Sequence, residues 1–548
     1  MPATMHWFRR GLRLHDQPAL VKSTQIAKET GAKVYPVYVL DPDCYQLLRC
    51  SVNRANFLLE ALRDLDSQLR VRYSSRLFVV AGKPQDVLPQ LWKKWGIAAI
   101  TTDADQTSEP YALSRDAAVR ELAKKNSIQM LEVVTETLRD MASYGDHVPE
   151  TYGGFTKLWG TMKTPISKEV DTPILPPFED KQLLADKTFD IPADACGIPW
   201  PTTVSRDQLT PIWNRADMEA AKKKTSRHPG GETEGLARLK QHVVERKQWV
   251  REFEKPKTSP NSLGFSTTAL SMYIGLGCVS PRRLYWEVDK IYKTGAHAQP
   301  PVSLHGQLMW REFNICMARQ ANRKVPGSWG QMAGNYLCRP MPWKSPTDDA
   351  ATAAQYAAWR DGKTGYPFVD AIMRQLRQEG FIHHLGRHMV ACFLTRGDLW
   401  ISWEAGARVF EEELLDADYA VNNFNWLWLS CSGFFYQYFR CYSPIAFGKK
   451  TDPNGDYIRK YVPELKSFDK KYIYEPWRAP IVDQKKWGCV IGNDYPKPIV
   501  AHDVASKANM SKVASAYAAF KDGGGGAKRA AEAADGAGGK KKVKRYED

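Results

Sequence analysis

The first 135 residues alternate short apolar runs with amphipathic stretches. Runs rich in β-branched and aromatic residues lie at 5–8, 33–40, 76–82, 97–103 and 130–135. Between them lie stretches such as 53–70, where apolar residues recur three and four positions apart, as on one face of a helix. This alternation predicts βαβ units, whose right-handed crossovers build a doubly wound parallel sheet. No GxGxxG follows the first run, so an ordinary dinucleotide site is not expected there, but a ligand at the carboxyl ends of the strands is not excluded.

The pattern changes after residue 138. Residues 139–214 are rich in Pro, Gly and Thr, which predicts a long linker without regular structure. From 215 to 505 the strand patterns give way to long helical ones, for example at 365–380 and 387–394. Residues 506–548 end in a Gly/Ala-rich stretch that cannot bury a core. The sequence therefore predicts an α/β domain over 1–138, a linker over 139–214, an all-α domain over 215–505 and a disordered basic tail over 506–548.

Bulk composition narrows the class of protein. The chain has 548 residues, of which 43% are hydrophobic, so it is long enough to bury sizeable cores. It contains no apolar run of about 18 residues and no signal-peptide pattern at its start, so we expect a soluble intracellular protein with no membrane contact. Its ten cysteines are scattered singly, which favours reduced thiols over disulfides or a zinc knuckle. A monomer is the expected state.

The charge points to a polyanionic partner. A net charge of +16 and a pI near 9.2 favour nucleic acid, because basic side chains that neutralise phosphates release counterions. A solvated basic surface is the alternative. Near the end of the chain two basic clusters are separated by ten residues, which predicts a bipartite nuclear-import signal and a nuclear location, although a solvated end or a phosphate contact would look similar. The clusters consist of Lys528, Arg529, Lys540, Lys541, Lys542, Lys544 and Arg545.

The stretch GFIHHLGRH at 380–388 holds three of the chain's eleven histidines. His384 and His388 are four residues apart and share a helix face, whereas His383 does not. A zinc site would need a third ligand and commonly has Glu after the first histidine, but Leu385 stands there, so no metal is expected. The residues alone leave two interpretations open. One is proton transfer beside Arg387, and the other is a pair of packed core histidines.

Longer motifs around this stretch carry a family resemblance. HHLGRHMVACFLTRGDLWISW, LLDADYAVNNFNWLWLS and FFYQYFRCYSPIAFGKKTDPNGDYIRKYVPEL resemble the photolyase/cryptochrome flavoproteins, specifically the (6-4) photolyase and animal-type cryptochrome branch. HWFRRGLRLHDQPAL, WREF and GKTGYPFVDAIMRQL agree with it, and the resemblance covers residues 5 to about 480. It implies an α/β domain linked to a helical domain that binds FAD. The resemblance does not specify an antenna pigment, for which folate and 8-hydroxy-5-deazaflavin are both candidates.

Residues that match the family's flavin site follow from the resemblance. Thr267, Thr268 and Ser271 match the phosphate segment, although a bare Ser/Thr cluster is more often a helix cap or turn. Arg387 and Asp416 match an ion pair beside the isoalloxazine. Asn422 matches the position facing flavin N5, where the resemblance implies an amide, as in the repair enzymes, instead of the acid of plant cryptochromes. The implied cofactor set also includes Gln307, Trp310, Arg311, Asn314, Asp418 and Asn422.

Four tryptophans match the family's electron-transfer chain, which runs from the flavin to the surface: Trp426, Trp403, Trp343 and the outer Trp400. Core packing is the alternative role for a helical tryptophan. The segment 344–358, between Trp343 and Trp359, is longer than the family pattern, and its effect on the chain is not predicted.

The resemblance also implies a substrate. His384 and His388 match the catalytic pair that (6-4) repair requires, and His384 is expected to donate a proton to the lesion. The implied function is blue-light-driven repair of (6-4) photoproducts in UV-damaged DNA, a lyase activity. The alternative is an animal-like cryptochrome that signals to transcription-factor partners, and both functions can reside in one protein. Implied lesion and DNA contacts are Gln307, Trp310, Trp428, Arg440, Tyr442, Lys449 and Lys450.

Overall fold

A computed structural model describes residues 3–42, 50–107, 109–194 and 227–521. The residues proposed for nuclear import and the end of the predicted linker lie outside these ranges. None of the helices in the described part of the chain is long and apolar enough to cross a membrane.

The N-terminal part contains one sheet of five parallel strands in the order β3-β2-β1-β4-β5. Each strand lies within three residues of the range that the apolar runs predicted, so the doubly wound sheet is confirmed. The strands are β1 Ala3–Phe8, β2 Val34–Leu40, β3 Phe78–Ala81, β4 Ile97–Asp103 and β5 Gln129–Val133. The crossover helices are α1 Pro18–Thr30, α2 Val52–Tyr73, α3 Pro84–Trp95 and α4 Pro110–Lys125.

The predicted linker is partly ordered against the helical domain. Its described residues include α5 Tyr152–Thr161, which begins where the Thr151 hydroxyl accepts from the Gly154 N–H, and α6 Lys181–Leu184. Phe155 on α5 is buried in the same core as helices of the second domain. Much of the remainder lacks regular structure, as the Pro-rich composition predicts.

From residue 227 onward the described chain is helical, which confirms the all-α prediction. Its first helices are α7 Glu232–Leu239, α8 Lys247–Glu252, α9 Ser271–Gly275, α10 Pro281–Tyr292, α11 Leu304–Lys324, α12 Ala350–Arg360 and α13 Pro367–Glu379. They are followed by α14 His384–Cys392, α15 Trp403–Glu413, α16 Tyr419–Leu429, α17 Ala446–Thr451, α18 Asp456–Tyr461, α19 Ile481–Lys486 and α20 His502–Phe520. The largest apolar core lies among α11, α13, α14, α15 and α16.

The two domains meet through a close backbone contact. Gly11 and Gly277 both have positive φ, and a Cβ on Gly277 would lie 2.1 Å from the Gly11 nitrogen, so a side chain cannot fit there. The buried Arg13 side chain donates to the Gly277 carbonyl at 2.8 Å, and Arg282 pairs with the buried Asp16 carboxylate at 2.9 Å. These contacts hold the sheet domain against the helical domain in one arrangement.

The prediction that disorder begins at residue 506 is wrong for residues 506–520, which belong to α20. Val513 is buried against Met341 and Trp400, and Asn509 donates to the Asp398 carbonyl at 3.2 Å. The segment is rich in Ala and has little amphipathic pattern, so its composition resembles that of a tail. A few docking side chains, not a continuous apolar face, hold the helix in place.

Candidate functional site

The histidine stretch forms the start of α14. Gly380 ends α13 in the left-handed conformation, and His383 caps α14 because its Nδ1 accepts from the Leu385 N–H at 3.1 Å. His383 therefore caps the helix and does not share the face of His384 and His388, as its spacing indicated. His384 and His388 follow on one face, with their ring centroids 5.8 Å apart and nearly perpendicular.

Tyr442 completes this pair. Its hydroxyl lies 3.1 Å from Nδ1 of His388, although 54 residues separate them in sequence. Cys441, the residue before it, has its Sγ 3.7 Å from Sγ of Cys392 at the end of α14. Two adjacent contacts thus fasten the chain around residue 442 to the histidine helix.

Lys255 is a functional candidate that the sequence did not indicate. Burial and the nearby Arg387 lower its pKa to about 8. In turn, burial and the charge of Lys255 hold the pKa of His384 well below its usual range and lower that of His388 to about 3. The site is therefore rich in cationic groups while its imidazoles are neutral. Such a site favours an anionic ligand, and an anion that enters it raises the histidine pKa values.

Arg387 lies on the same helix and forms an ion pair on the other side of the site. Its Nη2 is 2.8 Å from Oδ2 of Asp416, which also accepts from the Ser271 hydroxyl at 2.7 Å. The structure thus brings together Ser271 of the predicted phosphate segment and the predicted ion pair. Thr267 and Thr268 lie just before Ser271 and are half-buried.

The remaining predicted cofactor residues fall into two groups. Asn314 and Asn422 are buried, and Asn422 donates from Nδ2 to the Ala407 carbonyl at 3.0 Å. Arg311 and Asp418 instead face the N-terminal domain. Arg311 donates to the Glu136 carbonyl, and Asp418 caps α16 through the Val421 N–H and lies 3.4 Å from Arg10. Their polar groups already have partners at the domain interface, so a direct cofactor contact by either stays a prediction.

The predicted tryptophans lie around α15 and α16. Trp426 and Trp403 are fully buried, and Trp426 packs so closely on α15 that a Cβ at Gly406 would lie 2.1 Å from its ring. A bridge between Lys344 and Ile401 aligns the two outer segments and brings the Trp343 and Trp400 ring centroids to 4.4 Å. The longer segment 344–358 therefore does not separate Trp343 from Trp400.

The outer position differs from the expectation. Trp400 was expected at the surface, but α20 covers it, and only 4% of the residue is exposed. Its indole N–H donates to the Pro342 carbonyl at 2.7 Å, and the Lys512 ammonium of α20 lies 4.9 Å from its ring centroid. Trp343 is the more exposed of the two.

Two protein-family models match most of this chain. Residues 4–174 match the model described as DNA photolyase, and residues 303–515 match the FAD binding domain of DNA photolyase. The chain belongs to the photolyase/cryptochrome family. Its helical domain is thus the family's FAD-binding domain, and FAD is its cofactor.

Individual relatives agree with this assignment. This chain is 45% identical to cryptochrome-2 of Gallus gallus over 525 residues, covering 94% of this chain and 83% of the relative. A Synechocystis cryptochrome is 27% identical with a TM-score of 0.74, covering 93% of this chain and 99% of its own. A bacterial class III photolyase from Agrobacterium tumefaciens is also 27% identical, with a TM-score of 0.73 and coverage of 94% and 98%. Both branches of the family therefore share this fold.

The residues of this photolyase/cryptochrome chain fit the family's cofactor. Among the described residues, Asp416 Oδ1 and Asn314 Oδ1 are buried acceptors that lack a hydrogen-bond partner. A ligand with polar edges would supply donors to such acceptors, and the cations Lys255 and Arg387 suit a reduced anionic flavin. In the described part of the chain no cluster of three or more His, Cys, Asp or Glu side chains is arranged to hold a metal ion.

Aromatic side chains of α5, α11 and α16 pack together as a wall of rings. Trp310 stacks on Tyr152 with centroids 3.7 Å apart, and its ring meets that of Trp428 edge-on at 5.5 Å. The sequence did not single out Tyr152, because it lies in the predicted linker. Gln307 uses its amide NH2 on the Pro301 carbonyl at 3.0 Å. The predicted phosphate contacts Arg440, Lys449 and Lys450 are all exposed.

A cavity lies at the carboxyl ends of β1, β2 and β4, where the strand order reverses. Its volume is about 70 Å³, and its lining includes Trp7, Arg10, Tyr38, Glu109 and Glu136. Pockets for drug-sized ligands generally measure about 300–1,000 Å³. As the side chains stand, the cavity does not fit a folate or an 8-hydroxy-5-deazaflavin.

Proposed function

We propose that this family member repairs (6-4) photoproducts in DNA under blue light. The observation that carries the proposal is the pair His384 and His388 beside the cations Lys255 and Arg387, with Tyr442 bonded to His388. A flavin site alone requires no titratable pair here. Of two adjacent imidazoles, one can donate a proton and the other can hold it in place or share the proton. Repair of a lesion with a migrating hydroxyl group requires such a donor.

When bound in its reduced form, FAD supplies the electron that light drives to the lesion. His384 then holds the proton that the lesion receives. In the described protein its low pKa keeps it neutral, so it must gain that proton when an anion enters the pocket and offsets Lys255 and Arg387. His388, fixed by Tyr442, holds the His384 ring in place or shares the proton. The reaction would have no net redox change, because FAD would take back the electron that it supplies.

DNA is held by groups outside the pocket. Arg440, Lys449 and Lys450 are exposed cations suited to phosphates, which set register and affinity but not lesion identity. Trp310 and Trp428 offer ring faces to a base turned out of the duplex. A nuclear location, directed by the basic tail, is part of this proposal.

A second function, light signalling as a cryptochrome, is favoured by two observations. The curated relatives reported above include an animal cryptochrome at 45% identity. In addition, α20 covers Trp400 at the end of the proposed electron-transfer chain. A change at that tryptophan can therefore alter its contact with α20. The partners of such a receptor would be transcription factors. Repair and signalling use different surfaces and do not exclude each other.

The test uses oligonucleotides that carry one (6-4) photoproduct or one cyclobutane dimer. Under illumination, the reduced wild-type protein should restore intact thymines in the first substrate only. His384→Ala should abolish repair while FAD content and DNA binding are retained. Absence of repair by wild-type protein with normal flavin photoreduction would favour the receptor, and loss of FAD in His384→Ala would assign His384 a structural role.

A further inference from the structure

The histidine helix α14 does not end in an ordinary last turn. It continues into the π-helical turn Phe393–Gly397, and the buried Trp400 that follows has a left-handed backbone with a φ of 58°. A bulky residue rarely adopts this conformation, so neighbouring contacts must hold the segment in place. Single π-helical turns are also frequent at functional sites. The backbone at the end of α14 therefore depends on what packs against it.

Helix α20 supplies part of that support. The carbonyls of Gly397 and Asp398, at the end of the π-helical turn, accept from Nδ2 of Asn509 at 3.4 and 3.2 Å. Carbonyls at the end of a helix lack donors within the helix, so Asn509 acts as a cap from outside. The residue is buried, and its Oδ1 accepts from Nζ of Lys512 at 3.1 Å. Both ends of the Asn509 amide are thus used at this contact.

The first residue of α20 makes a second contact with the same segment. Nδ1 of His502 lies 2.7 Å from Oδ1 of Asp398, whose side chain is fully buried. The other oxygen, Oδ2, lacks a hydrogen-bond partner among the described residues. Because an unpaired buried carboxylate is costly, the contact with His502 stabilises Asp398 and holds α20 on the π-helical turn.

The π-helical turn is also connected to His388. Arg396, within the turn, donates from Nη1 to the Tyr438 carbonyl at 2.8 Å and from Nε to the Leu429 carbonyl at 2.9 Å. Tyr442, four residues after Tyr438, has its hydroxyl 3.1 Å from Nδ1 of His388. A shift of the turn would therefore reach His388 by two routes, directly along α14 and through the segment that carries Tyr442.

We propose that α20 is a removable cap of the histidine helix, and that its displacement changes the position of His388. Docked, α20 supplies the hydrogen bonds from Asn509 and His502 that hold the π-helical turn. Displaced, it leaves the buried Asp398 and the two carbonyls without them, and the turn can rearrange. Asn509 and His502 are positioning residues, because they act on His388 through the turn. A consequence for DNA repair rests on the proposed function, whereas the coupling itself does not.

The experiment uses full-length protein loaded with FAD and kept in the dark, with two readouts. Hydrogen exchange measured by mass spectrometry reports the opening of residues 393–400. The Cε1 resonance of His388, assigned by its loss in His388→Asn, reports the surroundings of the ring. Asn509→Leu removes the donors and keeps a side chain of the same branched shape. Exchange at 393–400 should become about tenfold faster, as loss of a net hydrogen bond implies, and the His388 resonance should shift.

A second variant and a control make the test specific to α20. Val513→Asp displaces the helix through its apolar contact with Trp400 and leaves Asn509 in the sequence, so it should produce the same two changes. Lys507→Ala removes an exposed side chain from the same helix and should leave both readouts as in wild type. Faster exchange within 502–520 alone, or an unchanged His388 resonance in both site variants, would overturn the coupling. The same changes in Lys507→Ala would also overturn it.

Failure of the coupling is distinguishable from failure of the repair function. Repair is measured separately, on an oligonucleotide with one (6-4) photoproduct, where Asn509→Leu should lower the yield by about tenfold or more, because proton donors act only within hydrogen-bond reach. Absence of repair in wild type, with a His388 resonance that responds to Asn509→Leu, would refute the repair proposal and support the coupling. Repair in wild type with an unresponsive resonance would do the reverse.

Discussion

The two partners of the ion pair between Arg387 and Asp416 are buried to different extents, so the loss of each should have a different cost. The Asp416 side chain is 6% exposed and takes its charged hydrogen bond from Arg387, with a further bond from the Ser271 hydroxyl. The Arg387 side chain is 22% exposed and also donates to the Ile382 carbonyl at 3.2 Å. Loss of the arginine therefore leaves a buried carboxylate without a counter-charge, whereas loss of the carboxylate leaves a cation that reaches water.

The expected costs follow from this difference. Breaking a buried pair costs about 3–5 kcal/mol, and the partial exposure of Arg387 places Arg387→Gln near the lower end, about 3 kcal/mol. Asp416→Asn keeps an acceptor for Ser271 and should cost about 1 kcal/mol. At roughly 2–4 °C for each kcal/mol in a large domain, Arg387→Gln should lower the melting midpoint by roughly 6–12 °C. The double variant should be no less stable than Arg387→Gln alone.

Thermal unfolding of the four proteins, with and without added FAD, forms a double-mutant cycle. Arg120→Gln is the matched control, because the Arg120 side chain of the surface pair with Glu132 is 51% exposed and its loss should cost less than about 1 kcal/mol. Both site variants should also retain less FAD. Additive losses in the double variant, or a larger loss for Asp416→Asn than for Arg387→Gln, would refute the account of a buried carboxylate stabilised by one arginine.

Three further predictions concern other parts of the protein. Burial lowers the pKa of His6 to about 3, so below about pH 6.5 this histidine binds a proton in the unfolded protein but not in the folded one. The free energy of unfolding should therefore fall by about 2 kcal/mol between pH 6.5 and 5. The melting midpoint of His6→Gln should depend less on pH than that of wild type. Trp343→Phe should slow flavin photoreduction in a laser-flash assay, whereas Trp359→Phe, which alters a buried ring 6.3 Å from that of Trp426, should not, and equal slowing would contradict the proposed path. Val513→Asp places a charge in the contact beneath α20 and should expose that helix to limited proteolysis, with unchanged cleavage as the contrary result.

The fold was predictable where periodicity reflects burial on a whole face. Strands β1 and β2 are buried along nearly their whole length, so each appears as a nearly continuous apolar run, and the observed strand bounds differ from the predicted runs by a few residues. Helix α20 was missed because it docks through Val513, Asn509 and a few other side chains. Its sequence is rich in Ala, and no part of this helix carries a full apolar face. Helix α5 was missed because its glycines lower helix propensity, and contacts such as that between Tyr152 and Trp310 offset that loss.

The site was predictable where its residues are close in sequence. The spacing of His384 and His388 placed them on one helix face, and the cap formed by His383 agrees with its different direction. Lys255 was not predictable, because it lies in a short turn about 130 residues earlier, and only the tertiary fold brings its charge to the histidines. The family resemblance predicted Trp310 and Trp428 of the aromatic wall. The stacking of Tyr152, from the predicted linker, on Trp310 was visible only in the folded structure.

The unpredicted lysine changes how the histidines must work. From the sequence, an imidazole near neutral pH is a ready proton donor. In the folded site, burial and the charge of Lys255 lower the pKa of both imidazoles, so in the proposed repair His384 would gain its proton after a negative ligand has entered. In the proposed repair, proton donation would then be tied to occupancy, because the imidazoles of the empty site are neutral. The same cations that suit an anionic flavin thus also oppose charging of the histidines until negative charge enters the site.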